Sequence, residues 1–419
     1  MKRLINYMLK LPKTPKIIGV LTICVLVSLL IASHPSQSFF HTKSLIERKN
    51  DSLANLYNPE VAKKKSIKLD TFFTKLKSLY GFNGAVLVSQ YGKIIYKKGF
   101  GYSNYFTKSN INTHTPFQLA SVSKQFTAIA IMQLKEKGLI KYEDPIYKHI
   151  PGFPYDSSIT IRSLLTHRSG LPDYTVCLDK VYDKKVPLTN QKVVELMVRL
   201  KPNINYRPNS RFSYNNTNYM LLAHIVEKLS GMNFREYAKK NLFETAGMSE
   251  SFVYDPMHPE MLRSAATGYV DKPGGPVVSE FNHLDGVTGD KGIYSTVEDL
   301  YHWDTALNDE KLVKLSTLEE AFTPQHTNPK VLPKNYGFGW RLAQLDNGEW
   351  LTYHTGWWHG FKNYYLHNPK DNSSIIILGN MANRALSKVN IVQSILYPEK
   401  AHLFLKGESL PSEFSQGGN

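Results

Sequence analysis

Strand-like runs stand at the two ends of a long stretch of this chain, and the residues between them carry helical periodicity. Gly84-Ala-Val-Leu-Val-Ser89 and Lys93-Ile-Ile-Tyr-Lys97, joined by Gln90-Tyr91-Gly92, carry a hairpin signature. Trp350-Leu-Thr-Tyr-His354, Asn363-Tyr-Tyr-Leu-His367 and Ser374-Ile-Ile-Ile-Leu378 are the late strand-like runs. In the middle, Val122, Phe126, Ile129, Ala130 and Leu134 recur at helical spacing and stop at Gly138. Thr160 opens another helical stretch through His167, and Tyr219 to Leu229 forms one that ends at Gly231. The predicted fold mixes helix and strand (α/β, α+β). One antiparallel sheet is formed by both chain ends and flanked by helices, with a mainly helical lobe inserted. A last helix is expected over residues 386–396.

Apolar residues at 42% and charged residues at 21% are near globular averages, which excludes a disordered or collagen-like chain. Cys24 and Cys177 are the two cysteines, and the first lies in an apolar leader, so an internal disulfide framework and Cys-rich zinc sites are excluded. The formal charge is +16, from 51 Lys and Arg against 35 Asp and Glu. Half of that excess falls within residues 1–70, which hold twelve basic and four acidic side chains. The rest is dispersed without a basic aromatic stripe, so no nucleic-acid partner is expected.

Lys2, Arg3, Lys10, Lys13 and Lys16 precede the apolar run Ile17 to Ala32, and no Lys or Arg follows until Lys43. That asymmetry leaves the N-terminus in the cytoplasm and sends the rest outside. The expected organisation is a basic n-region over 1–16 and a signal peptide or membrane anchor over 17–33. A tether over 34–68, a catalytic domain over 69–400 and a polar tail over 401–419 follow. The run's length fits an anchor and a cleaved signal alike. The expected location is extracytoplasmic, periplasmic or at the cell surface, with the membrane as partner through this segment.

Three short motifs carry chemistry. In Ser121-Val122-Ser123-Lys124, residues at i and i+3 share one helix face, and Ser121 lies in the first turn, where free N–H groups favour developing negative charge. A serine nucleophile needs a base, and lysine serves only when neutral, which calls for burial and cationic neighbours. Tyr-x-Asn occurs at Tyr102-Ser-Asn104, beside the hairpin, and at Tyr214-Asn-Asn216, between a turn and a strong helix. The second can aim Tyr214 into a cleft to relay a proton to the leaving group, with Asn216 holding a substrate amide. His354-Thr355-Gly356 ends a strand ahead of Trp357-Trp358. A small residue at 356 would let a substrate backbone approach the strand edge. The N–H groups of Trp357 and Ser121 would then face one oxyanion, each donor contributing about 3 kcal/mol to the transition state.

The trio Ser121/Lys124, Tyr214/Asn216 and His354/Thr355/Gly356, in that order, resembles the penicillin-recognising serine hydrolases: class C β-lactamases, D,D-peptidases and related esterases and aminopeptidases. The likeness runs on through Phe117-Gln-Leu-Ala-Ser-Val-Ser-Lys-Gln-Phe-Thr127, similar to the family's nucleophile helix. Ile159 to Pro172 resembles "TIRxLLTHTSGLP", Tyr206 to Gly231 resembles "FxPGxxFxYSNxGYxLLGxIIExxTG", and Gly289 to Leu300 resembles "GGLxSTxxDL". The resemblance implies a β-lactamase/transpeptidase-like fold and an acyl-enzyme on Ser121. Lys124 and Tyr214 would move protons, and Asn216, His354, Thr355, Gly356 and Trp357 would bind substrate. Lys-Thr-Gly of the β-lactamases is His-Thr-Gly here, so His354 supplies charge only when protonated. That substitution favours the peptidase and esterase relatives. Asn209 stands for a usual Gly and Arg168 for a usual Thr, both on the scaffold.

No G-x-S-x-G, HExxH, P-loop or dinucleotide fingerprint is present in the sequence, so neither cofactor nor metal is expected. The expected function is an exported serine hydrolase that cleaves an amide or ester. Its substrate is a small molecule or peptide, foremost a D-amino-acid peptide derived from peptidoglycan (D,D-carboxypeptidase or D-aminopeptidase type), or a small ester. The alternative is a penicillin-binding-like sensor that keeps the cleft without turnover.

Overall fold

The computed structural model describes residues 45–155, 157–179, 182–325, 334–345 and 349–400. The expected n-region and apolar run of residues 1–33 and the tail of 401–419 lie outside the described residues. The chain divides into Met1–Arg48 and Lys49–Asn419. Of the first unit only the opening of the helix Leu45–Ala54 is described, and the second holds everything that follows. Among the described residues, no helix is long and apolar enough to cross a membrane.

Seven antiparallel strands form the central sheet. They are β1 (Gly84–Gln90), β2 (Lys93–Phe100), β3 (Lys334–Tyr336), β4 (Arg341–Gln344), β5 (Trp350–Trp358), β6 (Phe361–Asn368) and β7 (Ser373–Gly379), in the order β3-β4-β5-β6-β7-β1-β2. The expected closure by both chain ends is present. β1 pairs with β7 through Leu87↔Ile376 and Val88↔Ile375, and with β2 through Val88↔Tyr96. Both neighbours of β1 are strands and both its faces are covered, so every residue of it is buried. The β1–β2 hairpin turns at Tyr91 (φ 53°) and Gly92 (φ 69°), two consecutive left-handed residues whose twist matches the strands they join.

Alternation divides the core. Val86, Val88, Ile375 and Ile377 face α1 (Pro59–Tyr80) and α5 (Val389–Leu396), which contribute Leu69, Phe73, Val392 and Leu396. Ala85, Leu87, Ile376 and Leu378 face the other way, in one core with α2 (Lys124–Glu136), α3 (Asn216–Ser230) and α4 (Val297–Asn308). Residues 59–68, expected in the tether, are the first half of α1. The side chain of Asn58 accepts from the N–H groups of Glu60 and Val61, Pro59 occupies the first turn, and Gly81 closes the helix at φ 65°. Lysines on its exposed side gave that stretch its tether-like composition.

β5 also differs from expectation. It continues past His354 to Trp358, so His-Thr-Gly lies within the strand. Within β5, β4 pairs with Trp350–Tyr353 alone, through Gln344↔Trp350 to Arg341↔Tyr353, and the strand beyond Tyr353 has no partner from β4.

Candidate active site

The nucleophile turn is placed by a small sheet. Phe117–Gln118 pairs with Ile293–Ser295, and the N–H of Leu119 donates to the Ile293 carbonyl at 2.8 Å. The chain then bends at Ala120, whose φ of 50° lies in the left-handed region that an alanine enters at a cost of about 1 kcal/mol. A 3₁₀ turn over Ala120–Ser123 runs straight into α2. Strain at Ala120, just before Ser121, is held by the packing around it.

Lys124 is fully buried. Its Nζ lies 3.2 Å from Ser121 Oγ, 3.0 Å from Asn216 Oδ1 and 2.9 Å from the Asp290 carbonyl oxygen. Asn216 Oδ1 and the Asp290 carbonyl are two acceptors that hold the Lys124 amine beside Ser121.

Tyr214 precedes the N-cap of α3. Asn215 caps the helix by accepting from Thr217 N–H at 2.8 Å, and the N–H of Asn216 donates to Asp173 Oδ2 at 2.9 Å. The Tyr214 ring lies 4.9 Å from Lys124 Nζ and 4.9 Å from the guanidinium carbon of Arg341. It also lies 4.4 Å from the His167 ring. The Tyr214 hydroxyl is buried and has no hydrogen-bond partner among the described residues, which suits a group that acts on a substrate. Tyr102-Ser-Asn104, the other Tyr-x-Asn, is a short strand paired with Ser109–Asn110.

His354 differs from its expected part as an occasional cation. It is fully buried, with Nε2 3.1 Å from the Tyr336 hydroxyl and Nδ1 2.6 Å from the Thr355 carbonyl. Burial first, then the charges of Arg341 and Lys124, push its pKa well below the ordinary histidine value and keep the ring neutral. The permanent charge beside Tyr214 on this side is Arg341, at the end of β4 and opposite Tyr353.

Gly356 also works differently from expectation. A Cβ there would meet the Leu119 carbonyl at 2.2 Å and Ala120 Cβ at 3.3 Å. Its missing side chain lets β5 seat against the turn that carries Ser121. Thr355 is buried, and the Trp357 side chain is 53% exposed.

Four neighbours of the site went unread in the sequence. Arg341 carries no local motif. His167 lies inside the Ile159–Pro172 block and is held at φ 55°, its Nδ1 accepting from Asn215 N–H at 3.2 Å and Asn218 Nδ2 at 3.1 Å. Burial first, then Lys124, holds its pKa well below the ordinary value. Asp290 and Lys291 follow Gly289 in another quoted block, and only the fold turns the Asp290 carbonyl toward Lys124. Asn209, standing for glycine, sits at φ 64°, a conformation asparagine tolerates, and its carbonyl accepts from Arg168 at 2.6 Å. Both departures are on the scaffold.

The β-lactamase family model matches residues 69–391. Penicillin-binding protein 4* of Bacillus subtilis is 36% identical over 322 residues, covering 74% of this chain and 71% of that protein. A penicillin-binding protein from Bacillus halodurans superposes with a TM-score of 0.68 at 28% identity, over 79% of this chain and 98% of the other. The penicillin-binding protein homologue from Pyrococcus abyssi gives a TM-score of 0.70 at 28% identity, over 82% and 79%. With the sheet closed by both ends, and a serine, a lysine and a tyrosine gathered beside it, the chain belongs to the serine β-lactamase and penicillin-binding protein family, whose members are serine hydrolases.

Proposed function

We propose that this chain hydrolyses an amide or ester through an acyl-enzyme on Ser121, outside the cytoplasm, where its basic and apolar N-terminal segment directs it. The single observation that carries the reading is the 3.2 Å approach of Lys124 Nζ to Ser121 Oγ, with two further acceptors directing the amine. In the forward step Lys124 takes the Ser121 proton as Oγ attacks the substrate carbonyl. The oxyanion is met by the N–H groups of Ser121 and Trp357. Tyr214 passes a proton to the departing nitrogen or oxygen, and water then cleaves the acyl-serine with the same groups in reverse.

Substrate class follows from charge. With His354 neutral, the fixed cation beside Tyr214 is Arg341. The leaving side is the Tyr214 side, so the leaving group carries a carboxylate and pairs with a guanidinium. A D-amino-acid peptide with a free C-terminus fits, in keeping with the penicillin-binding name of the 36% identical relative. Asn216 and Thr355 would hold its amides. A fluorescent penicillin or a phosphonate probe should label the protein covalently, and Ser121→Ala should abolish the label. Label retained in that variant would overturn the assignment.

A further inference from the structure

On the acyl-serine reading, Ser121 and Trp357 hold the scissile carbonyl, and Tyr214, His354 and Arg341 stand on the leaving side. The acyl part of the substrate therefore runs the other way, past Trp357 toward Trp358. One wall of that end is the helix entrance at Asn216, extended by Tyr174. The N–H of Tyr174 donates to Thr217 Oγ1 at 2.8 Å, and Asp173 Oδ2 accepts from the N–H of Asn216. Trp358 follows Trp357 on β5, and its indole N–H donates to Asp285 Oδ1 at 2.8 Å.

Lys291 reaches both Tyr174 and Trp358. Its ammonium lies 2.5 Å from the Tyr174 hydroxyl, 3.3 Å from Asp290 Oδ2 and 5.1 Å from the centroid of the Trp358 ring. The residue is 4% exposed. It stands at the first glycine of the "GGLxST" segment it resembles, so a long side chain occupies space that a glycine leaves open. Two polar partners and an aromatic face hold that side chain in one place, which makes it a fixed wall rather than a mobile arm.

Resting on the acyl-serine reading above, we propose that Lys291 is a specificity-determining residue that closes the acyl end of the cleft. The chain takes short acyl groups, the size of one small D-aminoacyl unit, and rejects long ones. Combined with a leaving group that carries a carboxylate, this selects a dipeptide-sized substrate over a long peptide stem.

The experiment compares kcat/KM for p-nitrophenyl acetate and p-nitrophenyl octanoate, which share a leaving group and differ only in acyl length. The full chain should prefer acetate by at least about tenfold. Lys291→Gly should move the acetate-to-octanoate ratio toward octanoate by about tenfold or more, while Lys291→Met, which keeps the bulk, should keep the ratio. Where Lys291→Gly fails to fold, Trp358→Ala uncovers the same end and should shift the ratio the same way. A wild-type ratio near one, or a ratio unmoved in the folded variants while both esters turn over, overturns the proposal and leaves the hydrolase reading intact. A wild-type protein that neither hydrolyses the esters nor shows an acylated Ser121 by mass spectrometry overturns both.

Discussion

Asn216 Oδ1 accepts from Lys124 Nζ at 3.0 Å, so the asparagine expected to hold a substrate amide lies against the amine that approaches Ser121 Oγ. A single substitution at 216 therefore tests the placing of that amine. Asn216→Ala removes one acceptor and frees the amine to turn from Ser121; kcat for an ester should fall by about 10²-fold. Asn216→Asp puts a carboxylate against the amine and stabilises its protonated form. Acylation should be slow at neutral pH and recover as the pH rises, which a pH–rate profile of the two variants checks.

Arg341→Gln should separate substrates by charge. For a peptide whose leaving group carries a carboxylate, kcat/KM should drop by about 10²-fold, the scale of a lost charge-assisted pair. For a neutral p-nitrophenyl ester it should change by less than about threefold, because no carboxylate is there to meet the guanidinium. Equal losses on both would mean that Arg341 acts by holding Tyr214 in place, 4.9 Å away.

Gly356→Ala tests the seating of β5 on the nucleophile turn. The added methyl would stand 2.2 Å from the Leu119 carbonyl, which is backbone and cannot swing away. The strand must move, at a cost of about 1–3 kcal/mol in stability. Activity should fall more steeply than stability, by about 10²-fold or more, because the backbone of Trp357 moves with the strand. Urea denaturation and ester turnover on one preparation compare the two losses.

Asp144 supplies a pH test away from the cleft. Burial raises its pKa, but Lys148 at 2.8 Å, the Lys141 N–H at 2.9 Å and His149 at 3.1 Å outweigh that, and the carboxyl is lowered to about 2. A folded value below the unfolded one means the contribution is complete above the unfolded pKa of about 4 and disappears as pH falls toward 2. Asp144→Asn should therefore cost about 1–2 kcal/mol at pH 7, and the gap from wild type should narrow between pH 4 and pH 2. Urea midpoints across that range measure it.

Much of the architecture was legible because it rests on local periodicity. Val86 and Val88 alternate with Ala85 and Leu87, so two faces were already separate before any partner was known, and glycines 138 and 231 marked helix ends through their left-handed backbone. The i, i+3 spacing of Ser121 and Lys124 likewise follows from helix geometry alone. β3 and β4 were not legible: Lys334–Tyr336 and Arg341–Gln344 are short and owe their conformation to their neighbours in the sheet. The lead-in to the domain misled, because Lys63, Lys64 and Lys65 resemble a tether until Ala62, Leu69, Phe73 and Leu76 are seen on one buried stripe.

The chain order alone determined the closeness of Ser121 to Lys124 and the closure of the sheet by both ends, since helix spacing and strand alternation are short-range consequences of the backbone. Tertiary structure decided the rest. Only folding carries the Asp290 carbonyl to Lys124 across 166 positions, encloses His354 deeply enough to stay neutral, sets Arg341 beside Tyr214 and wedges Lys291 between Tyr174 and Trp358. Such pairings depend on distance and burial, which no local pattern of residues encodes.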